Sequence, residues 1–309
     1  MDRSPVIGFI GLGRMGGPMA GNLVAAGHPV VVYDIDRSKC EPLAARGAQI
    51  ADSPAAVAAA SDISLSIIMN DAVLRQVTLG ESGIVHGARP GHLYCDLSTV
   101  SPSASAEVGA ALSTAGIAYL RGRVAGSIGL AQAGELTIFA SGSSADFGRA
   151  EPVLTALGKR ILYVGSGEVA AYLKLVHSTI VGVYAALMGE ALTLGEKGGV
   201  DFEQMLDILT EGPLGSVQLA LKAPMLKKRD FDDPPSDIDT AAKDLDIVLS
   251  AAREQRIPMP LTSAVRQIMT QRQAGGSGKQ DIWSMLETFE EMAALDRSAD
   301  VRATDGGES

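Results

Sequence analysis

Three things are scarce in this chain, and each scarcity removes a class of function. Cysteine occurs twice, at Cys40 and Cys95, in 309 residues. That excludes a disulfide scaffold and reads as two buried free thiols in a reducing compartment. Positive charge falls short: 26 Lys and Arg face 36 Asp and Glu, a formal net charge of −10, with no basic block to offset it. Such a balance excludes a nucleic-acid binder and offers nothing to an anionic membrane surface. Long apolar runs are missing too. The longest charge-free apolar run, near residues 175–189, falls short of the ~20 residues that span a bilayer. Residues 1–5 are short and polar, unlike the opening of a signal peptide. These absences predict a soluble cytoplasmic protein whose partner is neither nucleic acid nor membrane.

What the first half has is alternation. Val6–Ile10 reads as a buried strand running directly into Gly11-Leu12-Gly13-Arg14-Met15-Gly16, the G-x-G-x-x-G spacing at a helix start. Gly11 makes the tight turn, Gly13 admits a pyrophosphate to the backbone, and Gly16 lets the helix pack closely on the strand. A second strand, Pro29–Tyr33, ends at Asp34, placed to accept hydrogen bonds from the adenosine ribose. Asp34 and Asp36 repel a 2′-phosphate and favour NAD, while Arg37 and Lys39 stand near enough to serve NADP.

Further units follow. Ile63–Met69 ends at Asn70 and Asp71, which can cap the next helix, and His92–Asp96 ends at Leu97-Ser98-Thr99. Ser98 and Thr99 either face a ligand at the strand's carboxyl end or help cap the helix begun by Ser101-Pro102. Ile117–Arg123 leads into a glycine-rich stretch, 124–134, expected to be helix-poor and to offer backbone amides to an anion. Arg121 and Arg123 are either a charged clamp for that anion or solvated arginines. Glu135–Ala140 and Arg160–Val164 complete the strands, so residues 1–164 predict a doubly wound α/β Rossmann domain.

Strand signals stop at Val164. Residues 165–295 predict an all-helical domain with no internal repeat, built on one long helix over about 167–197. Helices follow at Phe202–Leu209, Asp239–Gln255, Leu261–Gln273 and Ile282–Met292, with a broken stretch near 211–237. The polar, aromatic-free tail from residue 296 is expected to be disordered. On the long helix Lys174, His177 and Ser178 share one face, where the lysine is either catalytic or snorkels at the helix end. The helix carries more apolar surface than one stripe needs, predicting a homodimer or homotetramer through the C-terminal helices. Lys243 sits in another helical stretch, where a surface ion pair is the plain alternative to a functional role.

Jointly these residues resemble the β-hydroxyacid dehydrogenase family, which includes 3-hydroxyisobutyrate, tartronate semialdehyde and 6-phosphogluconate enzymes. The resemblance runs from about Val6 to Met292 and rests on five stretches: Gly8 to Gly16, Asp96 to Pro102, Gly126-Ser127 with Ala131 to Leu136, Gly165 to Lys174, and Lys243-Asp244-Leu245. It implies that Lys174 shuttles the hydroxyl proton as hydride moves to or from nicotinamide, with no metal. It also implies that Met69, Asn70 and Thr99 contact the cofactor with the glycine loop, that Lys243 lies near the nicotinamide, and that Ser98 lies beside the substrate. The chain departs from the family in two stretches. The family's Asp-x-Pro-Val-Ser-Gly-Gly stretch reads Arg121-Gly122-Arg123-Val124-Ala125-Gly126-Ser127, so a serine has become Ala125. The asparagine four residues after the lysine is Ser178, and His177 precedes it, as in members acting on sugar acids. Ser127, His177, Arg123 and Arg121 are candidates to replace the lost substrate contacts.

The expected activity is NAD(P)-dependent interconversion of an anionic 3-hydroxyacid and its semialdehyde or keto form. An imine reductase is the alternative; the lysine argues against it and the altered substrate loop for it. A cofactor-binding protein that has lost catalysis is the third reading.

Overall fold

The computed structural model describes residues 4–295, so the expected disordered tail lies outside the described residues. The first part of the chain is β1 (Ile7–Ile10), α1 (Gly16–Ala25), β2 (Val30–Tyr33), α2 (Glu41–Ala44), β3 (Gln49–Ile50), α3 (Pro54–Ala60), β4 (Ile63–Ser66) and α4 (Asp71–Leu79). It continues with α5 (Ile84–Gly87), β5 (Leu93–Asp96), α6 (Pro102–Thr114), β6 (Ala118–Ala125), α7 (Ile128–Ala133), β7 (Leu136–Ser141), α8 (Ser144–Leu154) and β8 (Gly158–Gly165). Helices alone follow: α9 (Val169–Lys197), α10 (Phe202–Glu211), α11 (Val217–Lys228), α12 (Ile238–Glu254), α13 (Pro260–Ala274) and α14 (Met285–Met292). The change from alternating elements to helices thus comes at Gly165, while the two compact units divide between His177 and Ser178, inside α9.

The first unit is one eight-stranded sheet in the order β3-β2-β1-β4-β5-β6-β7-β8. All neighbours are parallel except β6 and β7, so the last two strands run against the first six. All four residues of β1 are buried, as a central parallel strand covered on both faces demands. Phe9, Val32, Leu65 and Cys95 pack on one face with Met19 and Leu23 of α1. Ile10, Val31 and Tyr94 pack on the other with Leu74 of α4 and Val108 of α6. Cys40 and Cys95 are free and buried; burial pushes the Cys95 thiol up to about 12, so it is an inert core group. The sequence showed seven strands. The eighth, β3, is a two-residue edge strand, too short to carry a period.

In the helical unit, α9 is 29 residues long and is apolar enough, by length and composition, to cross a membrane. That differs from what the charge-free run implied, because the helix extends well beyond 175–189. Yet Ala185, Ala186, Met188 and Leu192 are buried inside the unit, the behaviour of a core helix. Gly189 is what allows close packing there: a Cβ at this position would lie 2.6 Å from the Phe289 ring. Tyr184 meets Trp283 edge-on at 5.7 Å. The stretch expected to be broken contains α11. Ser216 caps it by accepting from Leu219 N at 3.0 Å, and Leu219, Ala223 and Leu226 form its buried stripe. Pro224 lies within this helix, and Gly212, Pro213 and Gly215 precede it, which hid it from sequence reading.

Candidate active site

The strands β1, β2, β4 and β5 are parallel neighbours and end at one edge of the sheet, so the turns after Ile10, Tyr33, Ser66 and Asp96 are brought together there. This is where open α/β sheets bind ligands. Gly11 has φ of +89°, and a side chain there would strike the Ile67 carbonyl. Gly16 lies against the Gly11 carbonyl, again with no room for a Cβ. At Gly13, by contrast, a Cβ would meet nothing within 4 Å, which leaves open space for a diphosphate. Met15, at the start of α1, gives no side-chain cap; Gly17 N already donates to Gly13 O at 3.0 Å and Pro18 carries no N–H, so what the helix start offers an anion is chiefly its positive end.

Beside the loop lies a cleft of about 500 Å³, walled by Tyr33, Asp34, Ile35, Pro54, Met69 and Val73 among others. Asp34 accepts from Leu12 N at 2.7 Å and from Asp36 N at 2.9 Å. A carboxylate has about four acceptor positions, so it fastens the glycine loop and keeps capacity for ribose hydroxyls. Ile35 is 93% exposed, and Met69 at the rim is 75% exposed. Asn70 caps α4 by accepting from Val73 N at 3.0 Å, and Leu12, Gly13, Arg14, Met15 and Gly16 all belong to the turn entering α1.

The next turn is fastened from below. Ser98 is 1% exposed; its hydroxyl accepts from Ile68 N at 2.8 Å and its own amide donates to Asp96 Oδ1 at 3.1 Å. Asp96 and Arg123 are wholly buried and paired at 3.0 Å. Burial opposes the charge on Arg123, but Asp96 beside it more than compensates and raises its pKa above the ordinary value. Ser98 and Arg123 therefore stand as internal fasteners; Arg123, wholly buried, is neither the anion clamp nor the solvated arginine that the sequence left open. The reason is long-range: the partner of Arg123 lies 27 residues away, on the neighbouring strand. Arg121 is likewise taken, by Glu168 at 2.7 Å, with its guanidinium 4.4 Å from the centre of the Tyr119 ring.

The stretch expected to be helix-poor holds a helix. β6 continues to Ala125, Gly126 turns with φ of +143°, and Ser127 caps α7 by accepting from Leu130 N at 3.3 Å. Ala125 and Ser127 are half-buried and Gly126 is exposed. α9 begins close by in the sheet. Ser141 at the end of β7 donates to Gly167 O at 2.7 Å and accepts from Ala170 N at 3.1 Å, capping the helix from a neighbouring strand. Lys174 and His177 follow on α9, both half-buried, with Ala170, Ala171 and Leu175 buried around them. In the helical unit Ser178 donates to Asp244 Oδ2 at 3.3 Å, and Lys243 pairs with the adjacent Asp244 at 2.9 Å.

Four of these participants escaped sequence reading: Ser66, Tyr94, Ser141 and Glu168. Ser66 Oγ lies 2.6 Å from Tyr94 OH and donates to Asp96 Oδ1 at 3.2 Å. Serines at strand ends, and a glutamate just before a helix, were the available signals.

Comparison with known proteins agrees with this geometry. Residues 6–165 match the NAD binding domain of 6-phosphogluconate dehydrogenase, and residues 165–289 match the domain described as NAD-binding of NADP-dependent 3-hydroxyisobutyrate dehydrogenase. The chain is 34% identical over 298 residues to 2-(hydroxymethyl)glutarate dehydrogenase of Eubacterium barkeri, covering 96% of this chain and 98% of that one. It is 30% identical to 3-sulfolactaldehyde reductase of Escherichia coli (strain K12), covering 94% and 97%. The solved structure of 3-hydroxyisobutyrate dehydrogenase from Mycobacterium tuberculosis with L-serine superposes with a TM-score of 0.85 at 26% identity, covering 93% and 99%. An imine reductase from Pseudomonas sp. is more distant, with a TM-score of 0.58 at 21% identity, and shows the shared fold alone. With the two family models matched in succession over residues 6–289 and relatives at 30% identity or more along almost the whole chain, the chain belongs to the β-hydroxyacid dehydrogenase family and is an NAD(P)-dependent oxidoreductase.

Proposed function

We propose that this enzyme interconverts an anionic 3-hydroxyacid with its semialdehyde or keto form, using NAD in preference to NADP, with Lys174 as general acid and base. The observation that carries the reading is the placement of Lys174. It projects half-buried from a helix whose first turn is tied to the sheet by Ser141 and by the Arg121–Glu168 pair. A lysine held there by its helix suits a group that takes and returns a hydroxyl proton. The nicotinamide, when bound, supplies or accepts the hydride. The residues of this chain do the rest: the glycine loop and the first turn of α1 hold the diphosphate, Asp34 takes the ribose, and the Ser98–Thr99 turn supports the cofactor from the next strand. His177, one turn beyond Lys174, and the backbone amides around Gly126 and Ser127 receive the anionic substrate.

The preference for NAD is supported at the cleft's rim. The two cations that would serve a 2′-phosphate are already paired with carboxylates at this rim: Arg37 with Asp52 at 2.9 Å, and Lys39 with Asp34 and Asp36 at 3.7 and 3.9 Å. The exposed side chain between those two aspartates is Ile35, which offers a phosphate nothing. An anionic substrate is also in keeping with the relatives named for hydroxymethylglutarate and sulfolactaldehyde. Buried free thiols suit the cytoplasm. Ile180, Leu187 and Leu194, seven residues apart on α9 and 55–76% exposed, suit a second copy of the chain as partner. Fluorescence titration with NADH and NADPH, followed by turnover of a panel of hydroxyacids and cyclic imines, tests the whole reading. Tighter NADPH binding would reverse the cofactor assignment, and imine turnover without hydroxyacid turnover would reverse the reaction class.

A further inference from the structure

The pair Asp96–Arg123 has no counterpart in the family pattern, which places proline where Arg123 stands. Its geometry is more than a neutralised charge. In the register of the sheet Asp96, the last residue of β5, lies opposite Arg121, so β6 outruns β5 by the four residues Gly122–Ala125. Arg123 stands in that overhang and folds back across the end of β5. One nitrogen, Nη1, donates to the Asp96 main-chain oxygen at 2.8 Å, to Asp96 Oδ2 at 3.0 Å and to Gly122 O at 2.7 Å. The other oxygen of Asp96 accepts from Ser98 N and from Ser66 Oγ. Ser98 in turn accepts from Ile68 N, in the turn after β4. One guanidinium thereby holds the end of β5, the turn that carries Thr99, and through Ser98 the turn that carries Met69 and Asn70.

Burying both charges completely is costly, and an apolar pair of like volume often stabilises a fold as well or better. The retained pair has geometry to specify: it sets the direction in which the chain leaves β5. We propose that Arg123 is a positioning residue which, acting through Asp96, fixes the Leu97–Ser98–Thr99 turn against the bound dinucleotide. It replaces, with directed hydrogen bonds, the backbone rigidity that a proline gives at this position. This rests on the cofactor assignment of the Ser98–Thr99 turn made above. Because Arg123 also lies two residues before Ala125, the same side chain sets the spacing between the cofactor turn and the start of the substrate loop.

The test uses the full chain, NADH as probe, and two readouts: thermal unfolding and the dissociation constant for NADH by fluorescence. The double variant Arg123→Met with Asp96→Asn removes both buried charges at similar volume, so it is expected to stay folded. Its NADH dissociation constant is expected to rise about tenfold, since a turn misplaced by a fraction of an ångström loses much of its contact with the ligand. Arg123→Lys, which keeps the charge but loses the second nitrogen that reaches Ser105 Oγ at 3.4 Å, is expected to fall between wild type and the double variant. A folded double variant that binds NADH as tightly as the wild type would overturn the proposal and leave the pair a core feature only. If the double variant unfolds, a cycle of Arg123→Lys and Ser98→Ala decides: effects on NADH binding that are less than additive support a shared turn, and strictly additive ones refute it. A wild-type chain that binds no dinucleotide would sink the cofactor reading itself, an outcome distinct from either of these.

Discussion

The loop after β1 and the loop after β6 differ in what their side chains are for. The first keeps glycine wherever backbone must touch backbone, and opens at Gly13 where a ligand must approach. Its chemistry is that of a diphosphate, the same for every dinucleotide enzyme. The second leaves a strand, β6, that carries Ala125 where the family has serine and turns its arginines inward, onto Asp96 and Glu168. On the proposed function its chemistry is that of one substrate, and there the chain departs from the family pattern. Shared cofactor chemistry preserves a loop, whereas private substrate chemistry rewrites one.

The comparison is broken most forcefully at Lys174, which belongs to neither loop. Lys174→Ala should lower kcat by roughly 10²–10⁴-fold, the usual worth of a general acid or base, while NADH affinity holds in the same titration. Retention of full turnover would mean that another group moves the proton.

A control sits at the other end of β5, just before its first residue. His92 is buried beside Ser64, and burial first, then Arg149, hold its pKa down to about 4. The folded chain thus refuses a proton that the unfolded chain takes up as pH falls through 6.5. Stability is lost between pH 6.5 and about 4, by about 3 kcal/mol in all, and the loss levels off below that. Chemical denaturation at a series of pH values should show this slope in the wild type and its absence in His92→Gln, with NADH binding at neutral pH unaffected. An unchanged slope in the variant would assign acid sensitivity to other groups.

Smaller effects separate the two loops themselves. Gly11→Ala forces a side chain into φ of +89° against the Ile67 carbonyl, and should cost about 1–3 kcal/mol of stability together with NADH affinity. Ala125→Ser restores the family's residue and should lower KM for a small carboxylate substrate such as 3-hydroxyisobutyrate by about fivefold, the worth of one added hydrogen bond. No change in KM would place the specificity elsewhere, with His177 the next candidate.

What the sequence revealed follows the same division. Glycine spacing, an acidic strand end and strand alternation are local signals, so the glycine loop, Asp34 and the doubly wound sheet were legible. The lysine-bearing helix was legible because nothing interrupts its apolar run. For Arg121 and Arg123 the sequence left a clamp and solvated side chains both open, and only the register of β5 against β6 brings Asp96 to meet Arg123. α7 was hidden by glycines and α11 by Pro224, since a short amphipathic stripe carries less weight than a residue that usually ends helices. Ser141 could not be foreseen as a cap for α9, because it lies on a separate strand.

One bond joins the two loops that the rest of the fold keeps apart in sequence. Asn22 of α1 donates to the Ala131 carbonyl of α7 at 2.7 Å, across 109 residues. A helix of six residues does not persist by itself, so α7 borrows its order from the helix that opens with the glycine loop. Amide hydrogen exchange in residues 128–133 is then a gauge of occupancy at the far loop: it slows when a dinucleotide steadies α1, before any substrate has arrived.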